Sequence, residues 1–533
     1  MRFFEKIVEK FFVQTLNVCY YKNQLILTNN IFSLVIVRIF YFLHKTIKIV
    51  RLILEDYNKN FKEVHMSLFR KKTVTSATAN SSLNKVLGAF DLTMLGIGAI
   101  IGTGIFVLTG VAAADYAGPA LILSFIIAGL ACTFAALCYS EFASMIPQAG
   151  SAYTYSYVAF GEVVAWILGW DMVLEYGLAS SAVASGWSGY FQSLLSGFNI
   201  HFPTALTSAF DPKNGTYIDL PAVIIVLIVT FVLTRGVKES AKLNTVMVFI
   251  KLAVVLLFIA IGVWYVEPTN WTPFMPKGFG GVTAGAAVVV FAYFGFDAVS
   301  TAAEEVKNPQ RNLPIGIISA LAVCTILYIV VSLILTGIVP YDQLGVKDPV
   351  AFALNFIHQD WAAGFISLGA IIGITTVLMV MMFGQTRLFY AISRDGLLPK
   401  KMSKVNKKTQ VPVVSTWITG GLVAAFAGFI PLSKLAELTN IGTLFAFSAV
   451  SLGILVLRKT QPNLKRGFRT PWVPVVPVLA IVFCVYLMLQ LSAFTWKGFV
   501  VWLVIGLIIY AAYGYRNSRL NPENKLNDSE HSA

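Results

Sequence analysis

The sequence predicts an all-α integral membrane protein of about twelve transmembrane helices, arranged as an inverted five-plus-five repeat with broken first and sixth helices. Three observations predict it. The chain is 57% hydrophobic and 12% charged, whereas soluble domains are about 25% charged. Apolar runs near the roughly 20 residues needed to cross a bilayer recur along it. Two of these runs, five apart, carry glycine-bearing interruptions near their middles. Because five is odd, the second set of helices enters the membrane upside down relative to the first, a pairing that points to a binding site at mid-membrane.

In chain order, residues 1–65 form a basic extension rich in Phe, Ile, Lys and Asn. Its stretch "IFSLVIVRIFYFLH" at 31–44 is short for a span and broken by Arg38. The extension reads as an over-extended start site that is not native, with an interfacial amphipathic segment as the alternative. No small-residue cleavage site follows it, which argues against a signal peptide. Met66 opens a cytoplasmic tail, 66–91. A ten-helix transport core covers 92–457, with spans at 92–115, 119–143, 162–192, 220–235, 243–265, 281–303, 314–338, 363–389, 412–430 and 435–457. A cytoplasmic loop, 458–472, leads to two additional helices at 473–492 and 498–514, and a cytoplasmic tail covers 515–533.

Charge sets the expected orientation. From residue 66 onward and leaving Lys251 aside, 24 Lys and Arg fall on the side of the tail 66–91. Five fall on the other: Lys213, Lys277, Lys347, Lys434 and Lys497. Positive charge marks the cytoplasmic side, so both termini are expected inside. The net charge of +14 is then a topology signal and not a nucleic-acid footprint. Of Cys19, Cys132, Cys138, Cys324 and Cys484, four lie within spans without metal-ligand spacing, and they read as small apolar packing. The sequon Asn214-Gly-Thr falls in the expected outer loop 196–219.

The first broken span contains "LGIGAIIGTGIF" at 95–106. Each interior glycine costs a helix about 1 kcal/mol against alanine, so Gly96, Gly98, Gly102 and Gly104 need an explanation. A helix broken in the bilayer frees N–H and C=O groups, which is tolerable only where they line a protected cavity. The resuming half-helix offers donors and partial positive charge to a carboxylate, and the ending one offers carbonyls to an ammonium. An amino acid zwitterion presents both groups. Gly102, Thr103 and Gly104, beside Ile100, are therefore candidate substrate ligands, with the glycines leaving the backbone open. Gly96 and Gly98 are expected to permit close packing. Packing through Gly98-x-x-x-Gly102 is the competing explanation for the whole stretch. The second interruption, in "FAYFGFDAVSTAAEEVKNPQRNLP" at 291–314, favours transport.

Ionisable groups at membrane depth are functional candidates by default. Lys251, in "VMVFIKLAVVLLF", lies about 12 Å along its helix at 1.5 Å per residue. Its ammonium is expected on carbonyls freed by the first break, with snorkelling to the inner surface as the alternative. Glu175, in "GWDMVLEYGLASS", is either a carboxyl hydrogen-bonded to neighbouring helices or part of the site; Asp171, one turn earlier, reads as structural. Asp297 follows the second break and is expected to cap the resuming helix, a direct ligand role being the alternative. Glu304 and Glu305 read as a surface ion-pair cluster with Lys307 and Arg311. Met381, in "VLMVMMFGQTR", is the candidate specificity residue: a bulky apolar side chain leaves little room, and no polar partner, for a cationic substrate.

Several longer motifs carry a family resemblance. They are "GIGAIIGTGIF", "YSEFASMIPQAGSAYTYSYVAFGE" at 139–162, "GVKESAKLNTVMVFIKL" at 236–252, "GFDAVSTAAEEVKNPQRNLPIGI" at 295–317 and "SRDGLLPKKMSKVNKKTQVPVVS" at 393–415. On these the chain resembles the amino acid–polyamine–organocation superfamily, and more narrowly a bacterial member of the cationic amino acid transporter family, over roughly 85–515. The resemblance implies the inverted repeat, two additional helices and proton-coupled amino acid uptake. It implies that Lys251 is the proton-coupling lysine and Glu175 a pocket or proton-relay group. Phe291 would be the lid over the substrate, and Phe294 would supply backbone to its amino group.

The expected function is thus proton-coupled symport of small or medium neutral L-amino acids, such as alanine, by alternating access in a bacterial cell membrane. An exchanger, or a carrier of cationic amino acids or polyamines, is the alternative on the same scaffold. A nutrient sensor would need a sizeable cytoplasmic domain, and no soluble domain fits between the loops. An enzyme is not expected: the five histidines form no cluster, and no nucleophile–base set stands out. The expected partners are the amino acid, the proton as coupling ion and the bilayer, with no cofactor, metal or nucleic acid. Action as a monomer is expected, and a small membrane subunit is compatible with it.

Overall fold

Helix dominates the computed structural model, which describes residues 70–72, 85–146, 151–236, 241–301, 303–406, 408–409 and 411–521. The expectations for 1–65, for most of the tail 66–91, for Cys19 and for the last residues of the tail 515–533 lie outside the described residues. Among the described residues there is no strand, only isolated bridges. Seven helices are long and apolar enough to cross a membrane, and five more are apolar but shorter, of 10–17 residues. Two of the short ones are short because the expected breaks cut them.

Helix α1 (Ala89–Ile100) starts where the Asp91 carboxylate accepts the Gly88 N–H at 2.9 Å. It stops at Ile100, and helix resumes at Gly104. Gly118, at φ +60°, turns the chain into α2 (Leu121–Met145). A buried helix, α3 (Ser151–Ala159), precedes α4 (Glu162–Ser196). Next come α5 (Leu220–Thr234) and α6 (Ala241–Gly262). Helix α7 (Gly278–Val289) tightens into a 3₁₀ turn, Val290–Tyr293, before the second break. The remainder is α8 (Pro309–Ile338), α9 (Pro349–Phe356), α10 (Asp360–Arg394), α11 (Val413–Phe429), α12 (Leu432–Thr460), α13 (Val475–Leu489) and α14 (Ala493–Ile509).

Two helices, α3 and α9, carry no span-length signal and were not expected. Helix α8 begins at Pro309, five residues before the expected start. Proline at a first helical position loses no intrahelical bond, and Pro314 is accommodated near the exposed end. Packing places α4 at the centre, against α10 and α12, while α8 lies on α1 and α2. The apolar window of α4 is 78% buried and that of α14 only 22%. Exposed Leu227, Phe231, Leu256, Leu489 and Val501 form outward apolar faces suited to lipid. The four described cysteines are free and fully buried.

Of the expected cluster of Glu304 and Glu305 with Lys307 and Arg311, the Glu304 side chain lies outside the described residues. Among the described residues, no ion pair joins Glu305 to Lys307 or Arg311. Instead the chain there pairs by its backbone: Glu305 C=O accepts the N–H groups of Val86 and Leu87 at 2.9 and 3.0 Å. The buried Glu141 carboxylate takes Arg458 in two bonds of 2.8 and 2.9 Å and the Thr470 N–H at 2.8 Å. Arg466 Nε lies 3.1 Å from it. Buried Glu162 accepts the hydroxyls of Tyr157, Tyr510 and Ser518. Asp395 accepts Lys72 and Tyr153, each at 2.7 Å.

Candidate functional site

The first break leaves the last carbonyls of α1 without intrahelical donors. Ile101 is extended, at φ −73° and ψ 105°, and its N–H reaches back to Ile97. Gly98 C=O accepts Lys251 Nζ at 2.7 Å. Lys251 is fully buried, and its stem lies over Gly373 of α10, where a methyl would be 3.0 Å from Lys251 Cγ. The expected ammonium–carbonyl contact is present, and the side chain does not snorkel out. On the other side of the break, Gly102 C=O accepts Ile105 and Phe106. The Gly102 and Thr103 N–H groups have no backbone acceptor among the described residues, and Gly104 opens a helical segment. Thr103 Oγ1 is buried without a hydrogen-bond partner.

The second break faces the first. Phe294 is extended, at ψ 136°, and Gly295 takes φ +111°, a left-handed conformation that glycine adopts without strain. That turn brings Gly295 against Ala99: a Cβ there would lie 2.9 Å from Ala99 O. Gly104 meets Ala292 so closely that a methyl would stand 2.6 Å from Ala292 Cβ and nearer still to its backbone. The missing side chain at Gly104 thus seats the second break, a use beyond the open backbone expected for it. Gly96 packs as expected, a methyl there lying 2.6 Å from Ala320 Cβ. The Tyr328 hydroxyl lies 3.1 Å from Ile100 O and 2.8 Å from Ala292 O, between the two interrupted helices. Asn440 Nδ2 donates to Ala287 and Val288 C=O at 2.8 and 2.9 Å.

Between the breaks lies a cavity with about 10 Å³ open to water, enough for one molecule, so its walls must separate to admit an amino acid. All seven residues expected at the substrate line it: Ile100, Gly102, Thr103, Gly104, Phe291, Phe294 and Met381. The Phe291 and Phe294 rings stack at 6.5 Å. Ala99, Val183 and Val377 complete the wall. Val377 stands one turn before Met381 on α10, a spacing that could have found it; Val183 looks like any other apolar residue in a span.

The remaining expected residues, Glu175, Asp297 and Lys251, do not line this cavity. Glu175 Oε1 accepts Thr443 Oγ1 of α12 at 2.6 Å, whereas Lys251 sits between α1 and α10. Asp297 Oδ2 accepts the Tyr176 hydroxyl at 3.0 Å, and its C=O accepts Ser300 N–H and O–H. Tyr176 also packs edge-on against Phe294, at 5.5 Å. No charged side chain lines the cavity. The arrangement offers backbone donors, helix-end carbonyls and an apolar wall, and it holds no set of groups for covalent chemistry.

Comparison with known proteins agrees with this geometry. Residues 87–512 match the amino acid permease family. The methylthioribose transporter of Bacillus subtilis (strain 168) is 56% identical over 458 residues, 85% of this chain and 99% of that protein. The branched-chain amino acid permease BcaP of the same organism is 54% identical over 462 residues, with the same coverage. The vacuolar cationic amino acid transporter 4 of Arabidopsis thaliana is 40% identical over 408 residues, 74% of this chain and 68% of that protein. The chain therefore belongs to the amino acid permease family, within the amino acid–polyamine–organocation superfamily, and is a multi-pass membrane transporter and not an enzyme.

Proposed function

We propose that the chain is a proton-coupled symporter that takes up small or medium neutral L-amino acids by alternating access. It would do so through twelve spans in an inverted five-plus-five repeat plus two, with both termini in the bacterial cytoplasm. The cavity carries this reading: two interrupted helices meet at one point, and every side chain facing that point is uncharged. The substrate carboxylate goes to the N–H groups of Gly102, Thr103 and Gly104 and to the unpartnered Thr103 hydroxyl. Its ammonium goes to carbonyls at the end of α1 and beside Phe294. Its side chain faces Val183, Val377 and Met381, and Phe291 closes over it. A guanidinium or ammonium in a side chain would meet no partner on that wall, and burying it unpaired is costly. A branched-chain permease among the relatives is in keeping with such a wall.

Lys251 supplies the coupling. Its ammonium holds the end of α1 through Gly98 C=O, a bond strengthened by the charge and by the helix C-terminus. Loss of the proton weakens that hold and lets α1 move. Glu175 serves as a relay group on α4. Uptake into proteoliposomes, across a panel of labelled amino acids with and without an inward proton gradient, tests the reading. Alanine, valine and leucine should accumulate only with the gradient, arginine should compete poorly, and Lys251→Ala should abolish gradient-driven uptake. Uptake and pH dependence left intact in that variant would refute the coupling role. Trans-stimulation without gradient dependence would mark an exchanger, and labelled methylthioribose in the same panel tests the activity named for the first relative.

A further inference from the structure

A second concavity lies away from the cavity between the breaks, at the N-terminal end of α8. It is an open groove of about 360 Å³. Arg311, Pro314, Ile315 and Ile318 of α8 form one wall, and Gly467 and Phe468 form the other. Gly467 permits the approach: a methyl there would collide with Gln310 Cβ and lie 2.8 Å from its Cγ. The second wall is fixed to the body of the protein. Phe468 N–H donates to Ser144 Oγ at 3.1 Å, and the flanking Arg466 and Thr470 are both held on Glu141.

Two features of the groove select a ligand. Its floor is apolar, with Ile315 40% exposed. Its rim carries the exposed Arg311, and Lys307, Lys465 and Arg469, close to the lining residues along the chain, are exposed as well. Among the described residues these four side chains form no hydrogen bond or ion pair, although Arg466, in the same loop, is paired. A soluble anion would use the rim and leave the apolar wall wet. A zwitterionic lipid would bring its own cation to four others.

We propose that this groove binds an anionic phospholipid of the adjoining leaflet, its phosphate at Arg311 and an acyl chain along Pro314, Ile315, Ile318 and Phe468. Basic pockets beside membrane helices capture anionic headgroups in this way. Occupancy has a consequence for transport. Helix α8 follows the second break within about a dozen residues, so a lipid bridging α8 to the fixed loop changes how readily the broken helix moves.

The test places a reporter in the groove. Phe468→Trp protein is reconstituted in phosphatidylcholine containing a small fixed fraction of brominated phosphatidylglycerol or brominated phosphatidylcholine, and quenching is read against the parent protein. The anionic lipid is expected to quench several-fold more. Adding Arg311→Gln should cut that preference about fivefold, the factor for ~1 kcal/mol per basic side chain. Native mass spectrometry of the protein without the reporter should show fewer retained phosphatidylglycerol molecules in Arg311→Gln. Uptake by Arg311→Gln should match the parent in neutral liposomes and lose its response to phosphatidylglycerol. Equal quenching by the two lipids would overturn the proposal, as would displacement of the brominated lipid by inorganic phosphate or unchanged lipid retention in Arg311→Gln.

Discussion

Alanine at position 104 tests how the two breaks meet. Its methyl would stand 2.6 Å from Ala292 Cβ, and closer still to the Ala292 backbone, where ordinary van der Waals separation begins at 3.4 Å. Backbone cannot rotate away as a side chain can, so the breaks must part by about 1 Å. Overpacking of this kind costs ~1–3 kcal/mol. Where that strain falls on the ligand-binding state, it corresponds to roughly 5- to 150-fold in affinity. The assay is the apparent KM for neutral amino acid uptake in proteoliposomes, with thermal unfolding of the purified protein beside it. Gly421→Ala is the control, because a methyl there meets nothing within 4 Å and the position lies away from the cavity. That variant should lose about threefold or less. Ala292→Gly should rescue Gly104→Ala only in part, since it removes the clash with the Ala292 methyl and leaves the tighter one with the backbone. A wild-type KM in Gly104→Ala, or equal damage in Gly421→Ala, would refute the reasoning.

Three more outcomes follow from the same structure. Tyr328→Phe removes the hydroxyl between Ile100 and Ala292 and should destabilise the protein by ~1–2 kcal/mol, read as a lowered unfolding temperature; an unchanged temperature would show that the hydroxyl bonds neither carbonyl. Glu141→Gln leaves Arg466, whose side chain is 3% exposed, without its counter-charge, and should cost about 3 kcal/mol in the same measurement. Met381→Ala removes three heavy atoms and should raise leucine uptake relative to alanine by at least about fivefold, the value for one methylene's worth of that space being filled by leucine. A ratio that does not move would remove Met381 from the specificity wall.

The legible parts of the site were those where the sequence breaks a rule of membrane helices. Glycines clustered in a span, and a lysine about eight residues into one, are costly in lipid. Both pointed to residues that the fold brings together. Val183 obeys the rules and gave no signal; Val377 obeys them too, and its one signal is its one-turn spacing from Met381. Tyr328 and Asn440 are polar groups in apolar runs, so the need for a partner was readable, although the carbonyls they serve are exposed only once the helices break. Glu141 and Arg458 are 317 residues apart, and no local pattern joins them. The acidic and basic residues near 305–311 are adjacent in sequence, yet Glu305 is used through its backbone. Span boundaries at Pro314 and the buried helices α3 and α9 went astray for one reason: apolar run length measures contact with lipid and is silent about helices packed on protein.

Tyr328 offers one hydrogen, and two carbonyls, Ile100 O and Ala292 O, lie within its reach. At any instant one of them is underserved, a shortage worth ~1–3 kcal/mol when it is buried. The closed site is therefore rich in acceptors and short of protons to share. A guest with an ammonium brings three N–H donors to that deficit. On the function proposed above, the carrier would discriminate in this way before any side chain is read: a molecule without surplus donors would leave the shortage in place, and one that carries them would relieve it.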